Sequence, residues 1–440
     1  MKAHLSKRIT SWVICFILFV ISSAILIFYA AGFNYDFKNH KIVRTGMIYL
    51  TTDPNNNLEV SVDGRVLSTK SPAKLSYLRP GNHLVEIKKP GYVSWKNNYK
   101  VFEDTVIYQY NITLFLKNFE TSKIDSKVNE FLLSPDKKNL IFTKKTGLYL
   151  ANSVDNFNSA KQLNKNQDIN KLIWSDRSDK FCYEINSNIY IYDLSQQKSI
   201  KIPNAKKYSK IKLLRNYALL LSENSLYKFE YETQKTSFIV APIYDFEKIS
   251  DTEFVASYYD SQNKYSLIRY NFTQNKIRKL VPQDSRIIKI SKQGVTILFT
   301  NQRKQLFELT SNINLNIIHI ANNVEKYTSS KYNRLFLSGR GKTGVYYFNN
   351  KNEIYFYSKD EKIHYFITKT SSQIDCLEPY LHGDLIAYCL NNELIVSDGT
   401  GINKVILGDV LKENFTFLDE DSSKLIILSP AKELKILKIR

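Results

Sequence analysis

The sequence predicts a mainly β protein: an N-terminal transmembrane helix, then a small β-sandwich, then a β-propeller of about eight blades. Three observations predict it. Residues 12 to 31 form an uncharged apolar run, residues 45 to 117 alternate apolar and polar side chains between turn residues, and from residue 119 onward a strand pattern recurs about every forty residues. A chain of 440 residues is long enough for two folded units or one large ring. Its 30 Tyr and 25 Phe against only 14 Gly favour strands over helices.

The apolar run "WVICFILFVISSAILIFYAA", Trp12 to Ala31, carries no charge. At about 1.5 Å per residue it spans about 30 Å, the thickness of a bilayer's hydrocarbon. Phe28 and Tyr29 stand where a signal-peptide cleavage site needs small residues, so an uncleaved anchor is expected. Lys2, Lys7 and Arg8 before the run are matched by Lys38, Lys41 and Arg44 after it. A short basic tail resists translocation whereas long C-terminal domains cross regardless of charge, which places residues 1–11 in the cytoplasm and the rest outside. Residues 32–44 read as a linker, reaching at most about 50 Å when extended.

Residues 45–117 read as a β-sandwich, with runs such as "LEVSVDGRVL" and "NHLVEIKKPGY" bounded by Gly, Pro, Asn or Asp. Asp63-Gly64 marks a tight hairpin that needs positive φ. The pattern "TTDP…VSVDG…SP…LSYLRPGNHLVEIKKPGYVSW" resembles the PEGA domain through Pro54, Asp63, Gly64, Pro72, Pro80, Gly81, Gly91 and Tyr92. "PNNN" at 54 to 57 replaces that family's short Pro-x-Gly-Ala turn, so a longer hairpin tip is expected there. The resemblance implies a sandwich of surface or envelope proteins and no catalysis. Tyr92 and Trp95 are read as caps on the sandwich core, with an exposed sugar-stacking platform as the functional alternative.

Residues 119–440 read as the propeller. Buried-strand runs begin at 139, 180, 217, 253, 294, 344, 385 and 424, each followed by an alternating strand, with an insertion in the sixth unit at "RLFLSGRGKTG". Eight units are counted, or seven if the irregular sixth or the last is misread. The turn "LSPDKKNLIF", echoed by "WSDRSDKFCY", resembles that of TolB-like and WD40-like propellers, although no unit carries the G-H and W-D pair. The last unit lacks an outer strand, and "TSKID" at 121 to 125 is the segment expected to supply it, because a ring must close to remove its edges.

Six histidines (His4, His40, His83, His319, His364, His382) lie singly, without metal-ligand spacing, and no CxxC pair occurs, so no metal or cofactor is expected. A P-loop reading of "SGRGKTG" fails because its first Gly falls on Phe336; Arg340 and Lys342 remain candidates for touching an anion at the ring's rim. Asp419, Glu420 and Asp421 read as a solvated turn. Cys376 and Cys389 fall on opposite arms of a hairpin centred near His382 and Gly383; a cross-strand disulfide or two packed thiols both fit.

The expected function is therefore a non-catalytic interaction or scaffold module, anchored in the lipid bilayer through Trp12 to Ala31 and binding a protein or cell-envelope polymer. Its alternative is capture of nucleic acid or another polyanion, since the net charge is +20, although a Lys-, Asn- and Ile-rich composition accounts for that charge equally well. A propeller enzyme acting on envelope glycans is a further alternative, for which no paired-carboxylate signature appears.

Overall fold

The structure, a computed structural model, describes residues 2–36, 40–155, 157–166, 168–203, 208–250, 252–259, 265–272, 274–283, 287–293, 296–309, 317–328, 334–337, 340–380, 385–411, 414–418 and 423–440. It divides into two compact units. One comprises Met1–Asn118 with Phe336–Gly341, the other Phe119–Leu335 with Lys342–Arg440.

The first unit begins with α1 (Lys2–Ala30), within which Ser11–Phe28, of mean hydropathy 2.7, is long and apolar enough to cross a membrane. The stretch expected as a linker is instead folded. β1 (Phe33–Asp36) and β2 (Lys41–Arg44) pair as an antiparallel hairpin. Phe33 stacks on Phe28 at 5.1 Å, the Arg44 guanidinium lies 4.9 Å from the Phe33 ring, and Thr45 donates its N–H and hydroxyl to the Gly32 carbonyl. Arg44 also pairs with Asp104 at 2.5 Å, which ties the hairpin to the sandwich.

Two sheets form the sandwich. In one, β3 (Gly46–Asp53) lies between β6 (Ala73–Leu78) and β9 (Val106–Thr113), parallel to β9. The other runs β5 (Arg65–Ser68), β4 (Glu59–Val62), β7 (Gly81–Lys88), β8 (Trp95–Val101). Period-two alternation puts Ile48, Leu50, Val60, Leu75, Val85 and Ile87 at 0% exposure, the shared core. Asp63 and Gly64 join β4 to β5 with φ of 49° and 83°, the positive values a two-residue hairpin requires. The expected long hairpin tip at 54–57 is a correction: β3 and β4 belong to different sheets, so this stretch is a crossover between layers.

The second unit is a ring of sheets, each an antiparallel meander: 128–164, 169–201, 210–240, 243–283, 287–321, 324–369, 374–409, and a last one built from 415–438 with β10 (Glu120–Ser126). The buried runs recognised in the sequence are the second strands of these sheets, for example Asn139–Lys144 and Lys424–Leu428. The insertion in the sixth unit adds an extra strand, Arg334–Leu337, which pairs with Arg340–Asn349. Side chains pack between neighbouring sheets, and the last seals against the first through Ile426, Leu428 and Ile436 on Val128, Phe131 and Phe142. Closure is completed by β10, which contains the "TSKID" segment and lies antiparallel to Glu433–Lys438, filling the outer position of the last sheet. In both turns that resemble propeller turns the serine hydroxyl accepts the N–H five residues on, Ser134 from Asn139 and Ser175 from Lys180, and donates to an acid within the turn, Asp136 two residues on in the first and Asp179 four residues on in the second.

Candidate functional site

In the sandwich, the loop following β7 runs through Lys89, Pro90 and Gly91 to Tyr92. It is clamped to the end of the domain by backbone bonds from Val93 to Phe115 (2.8 Å) and from Lys117 to Gly91 (2.9 Å), with a bridge between Tyr92 and Leu116. Gly91 has φ of 80°, the left-handed turn that the Pro-Gly pair supplies. Tyr92 is half-buried and packs on the core, whereas Trp95 is itself a core residue, 7% exposed and 6.5 Å from Tyr99. Trp95 thus packs inside the core, because β8 turns the indole inward, while Tyr92 packs against it from the side.

Tyr92 borders a cleft of about 540 Å³ whose floor is the buried Leu58 and whose rim carries Asn57, Lys88, Lys89 and Lys117. The Lys89 ammonium donates to the Asn56 carbonyl at 2.5 Å and sits 5.5 Å from the centre of the Tyr92 ring. Lys88 pairs with Glu86 at 3.1 Å, an acid that Lys96 shares at 2.9 Å. Bonds to Lys96 and Lys88 hold the Glu86 carboxyl below its usual range. Glu59, directly across from Lys88 in the strand register, is the one acidic residue lining the cleft.

In the ring, the first strands of successive sheets meet through charge. Lys210 of the 210–240 sheet reaches Asp245 of the next sheet at 2.9 Å and the Ile290 carbonyl of the sheet beyond at 3.2 Å. Lys212 bonds Glu247 and Asp176, each at 3.1 Å. Asp245 also accepts the Ile290 and Phe246 N–H groups. Burial pushes the Asp245 carboxyl up, against the pull of Lys210 and those backbone donors. The Tyr327 hydroxyl, pushed up to about 12 by burial, bonds Ser291 at 3.0 Å. Asp245 and Glu247, both 7% exposed, are thus engaged in cross-sheet ion pairs.

Cys376 and Cys389 are opposite one another in the register and disulfide-bonded, both 1% exposed. Arg340 and Lys342 lie on the backbone of the strand Arg340–Asn349, but their side chains, like Asp419, Glu420, Asp421, His382 and Gly383, lie outside the described residues. His83 bonds Asp63 and the Arg79 carbonyl, each at 2.7 Å, and holds the Asp63-Gly64 turn. His364 takes the Tyr347 hydroxyl at 2.9 Å, and His319 packs on Phe307. Of the PEGA-like positions, Pro54 and Pro72 follow cis peptide bonds where the chain changes sheets, and Pro80 and Gly81 open β7.

Sequence reasoning missed the cleft lysines and the Lys210–Asp245 network. Lys89 stood inside the quoted "EIKKPGY", but its nearness to Lys117 depends on the bridge between Tyr92 and Leu116. The network did carry a signal: "IYDFEK" places two acids on what becomes a buried strand, and buried acids need partners.

The comparisons agree with this architecture. Residues 45–118 match the PEGA domain family model, and no curated protein matches the chain. The C-terminal WD40 domain of Sif2 aligns with a TM-score of 0.52 at 12% identity, over 73% of this chain and 98% of that one. The crystal structure of the eukaryotic initiation factor gives 0.52 at 11% identity, over 72% of this chain and 91% of that one. Sqt1 of Saccharomyces cerevisiae covers 73% and 98% at 10% identity, with a TM-score of 0.49. Residues 45–118 thus carry the PEGA match, between an N-terminal apolar helix and a unit with the β-propeller fold. At these identities the likeness is one of fold.

Proposed function

We propose that the chain is a single-pass membrane protein that holds a PEGA domain and a closed propeller outside the cytoplasm as a non-catalytic interaction module for a protein or envelope polymer. The observation that carries this reading is the ring itself. Its ends are locked by β10 against Glu433–Lys438, and its buried carboxylates Asp245 and Glu247 are engaged in ion pairs between sheets. That arrangement stiffens a platform and leaves loops from several sheets free to recognise a partner.

Orientation rests on two supports. The basic tail disfavours export of the N-terminus, and the Cys376–Cys389 disulfide belongs to an oxidising compartment. The net charge of +20 favours a second reading, capture of a polyanion. The test is affinity capture of the intact, anchored protein from crosslinked cells. A single protein or envelope polymer recovered in stoichiometric amount supports the module reading, and recovery of heterogeneous nucleic acid lost at high salt supports the second.

A further inference from the structure

We propose that the PEGA-domain cleft between Tyr92 and Lys117 is a binding site for a linear polyanion whose repeating unit carries a phosphate or carboxylate. The inference deepens the reading of the chain as a module for an envelope polymer and rests on it. Three features point to an anion. Lys89 and Lys117 converge on one cleft, beside a Lys88 already paired with Glu86, and Glu59 is the acidic lining residue. Lys89 is held by neutral partners, the Asn56 amide oxygens and the Tyr92 ring, so its charge is positioned without being neutralised. Lys117 is fixed through its own backbone, bonded to Gly91, and makes no ion pair among the described residues.

The form of the cleft favours a polymer segment over a lone ion. It is open, its floor is apolar at Leu58, and Tyr92 adds an amphipathic wall, so a chain can lie across it with one charged group at Lys89 and the next near Lys117. Because the walls are set by main-chain bonds to Phe115 and Gly91, little ordering is needed on binding.

The test uses the full chain in neutral detergent, with fluorescent long-chain polyphosphate and hyaluronate as probes and dextran as the uncharged comparison, read by anisotropy across ionic strength. A K89Q/K117Q double variant is compared with K235Q/K276Q, which removes two exposed propeller lysines. The expected result is binding of at least one charged probe but not dextran, weakened about tenfold or more in K89Q/K117Q. The slope of log affinity against log salt should also fall by about 2 in that variant. K235Q/K276Q should stay within about twofold of the parent, and all melting midpoints should agree. Equal losses in the two variants would show diffuse charge and overturn the site. Unaltered polymer binding by K89Q/K117Q, together with lost retention on phosphatidylglycerol vesicles, would overturn it in favour of lipid headgroups. Absence of binding by the parent would also overturn it, while the module reading would still stand or fall by the capture experiment.

Discussion

Glu120 and Lys438, 318 positions apart in the chain, face each other as register partners across the strand pair that closes the ring, with Lys438 Nζ 3.3 Å from Glu120 Oε2. The pair is surface-exposed, so its attraction contributes little. Its significance is topological: a strand from just after the PEGA domain completes a sheet otherwise made from the C-terminal end of the chain. The last sheet therefore forms only after both ends of the propeller exist.

Removing one member of the charge network should cost more than removing two. Asp245→Ala leaves Lys210 with only the Glu247 carboxylate at 3.5 Å and removes the acceptor of the Ile290 and Phe246 N–H groups, an expected loss of about 2 kcal/mol. Lys210→Met combined with Asp245→Leu should recover much of that. Melting midpoints of the four members of the cycle check this, and a double variant no better than Asp245→Ala would count against the network.

Acid should loosen the ring in part through Asp193. Burial raises its carboxyl, but bonds from Ser195, from Lys180 and from the Gln196 N–H outweigh that and hold it at about 2, against an ordinary value of 3.8. A depressed folded-state value means stability that is present above pH 3.8 and lost as pH falls through about 2, worth about 2 kcal/mol. Asp193→Asn should lose this increment at neutral pH and show a shallower decline over that interval, measured as melting midpoint against pH.

The cysteines should divide two and two. Denatured without reductant, the protein should take two thiol labels, at Cys15 and Cys182; after reduction it should take four. In the native state Cys182 should stay unlabelled, being fully buried with its thiol pushed up to about 12. Replacing Cys376 and Cys389 with Ala is expected to cost about 3 kcal/mol, since the bond closes a short loop.

In the PEGA domain, Trp95→Ala should destabilise by about 3–5 kcal/mol as a buried aromatic. K89Q/K117Q should leave stability unchanged. Differential scanning of both variants separates the structural aromatic from the cleft lysines.

Much of the fold was legible because it is written in short-range signals. The Asp63-Gly64 turn, the Pro80-Gly81 start of β7 and the second strands of the propeller sheets each follow from residues adjacent in sequence. Ring closure by residues 121 to 125 was legible for a different reason, since a missing outer strand leaves a topological vacancy. What escaped depends on contacts between distant segments. Trp95 and Tyr92 are three residues apart, yet one enters the core and the other borders a cleft, because β8 begins at Trp95 and fixes its inward phase. The hairpin at 33–44 escaped because its cohesion comes from Phe28, Arg44 and Asp104 around a turn, with no apolar alternation to announce it.

The most direct test of the closed ring is a covalent one. Glu120→Cys with Lys438→Cys, in a Cys15→Ser background, places two thiols on register partners at the distance strands allow for a disulfide. Mild oxidation should join them within one molecule, giving faster migration without reductant and a higher melting midpoint, while either single variant stays unchanged. Failure to crosslink, or crosslinks only between molecules, would contradict an account in which the two ends of the propeller meet in one sheet.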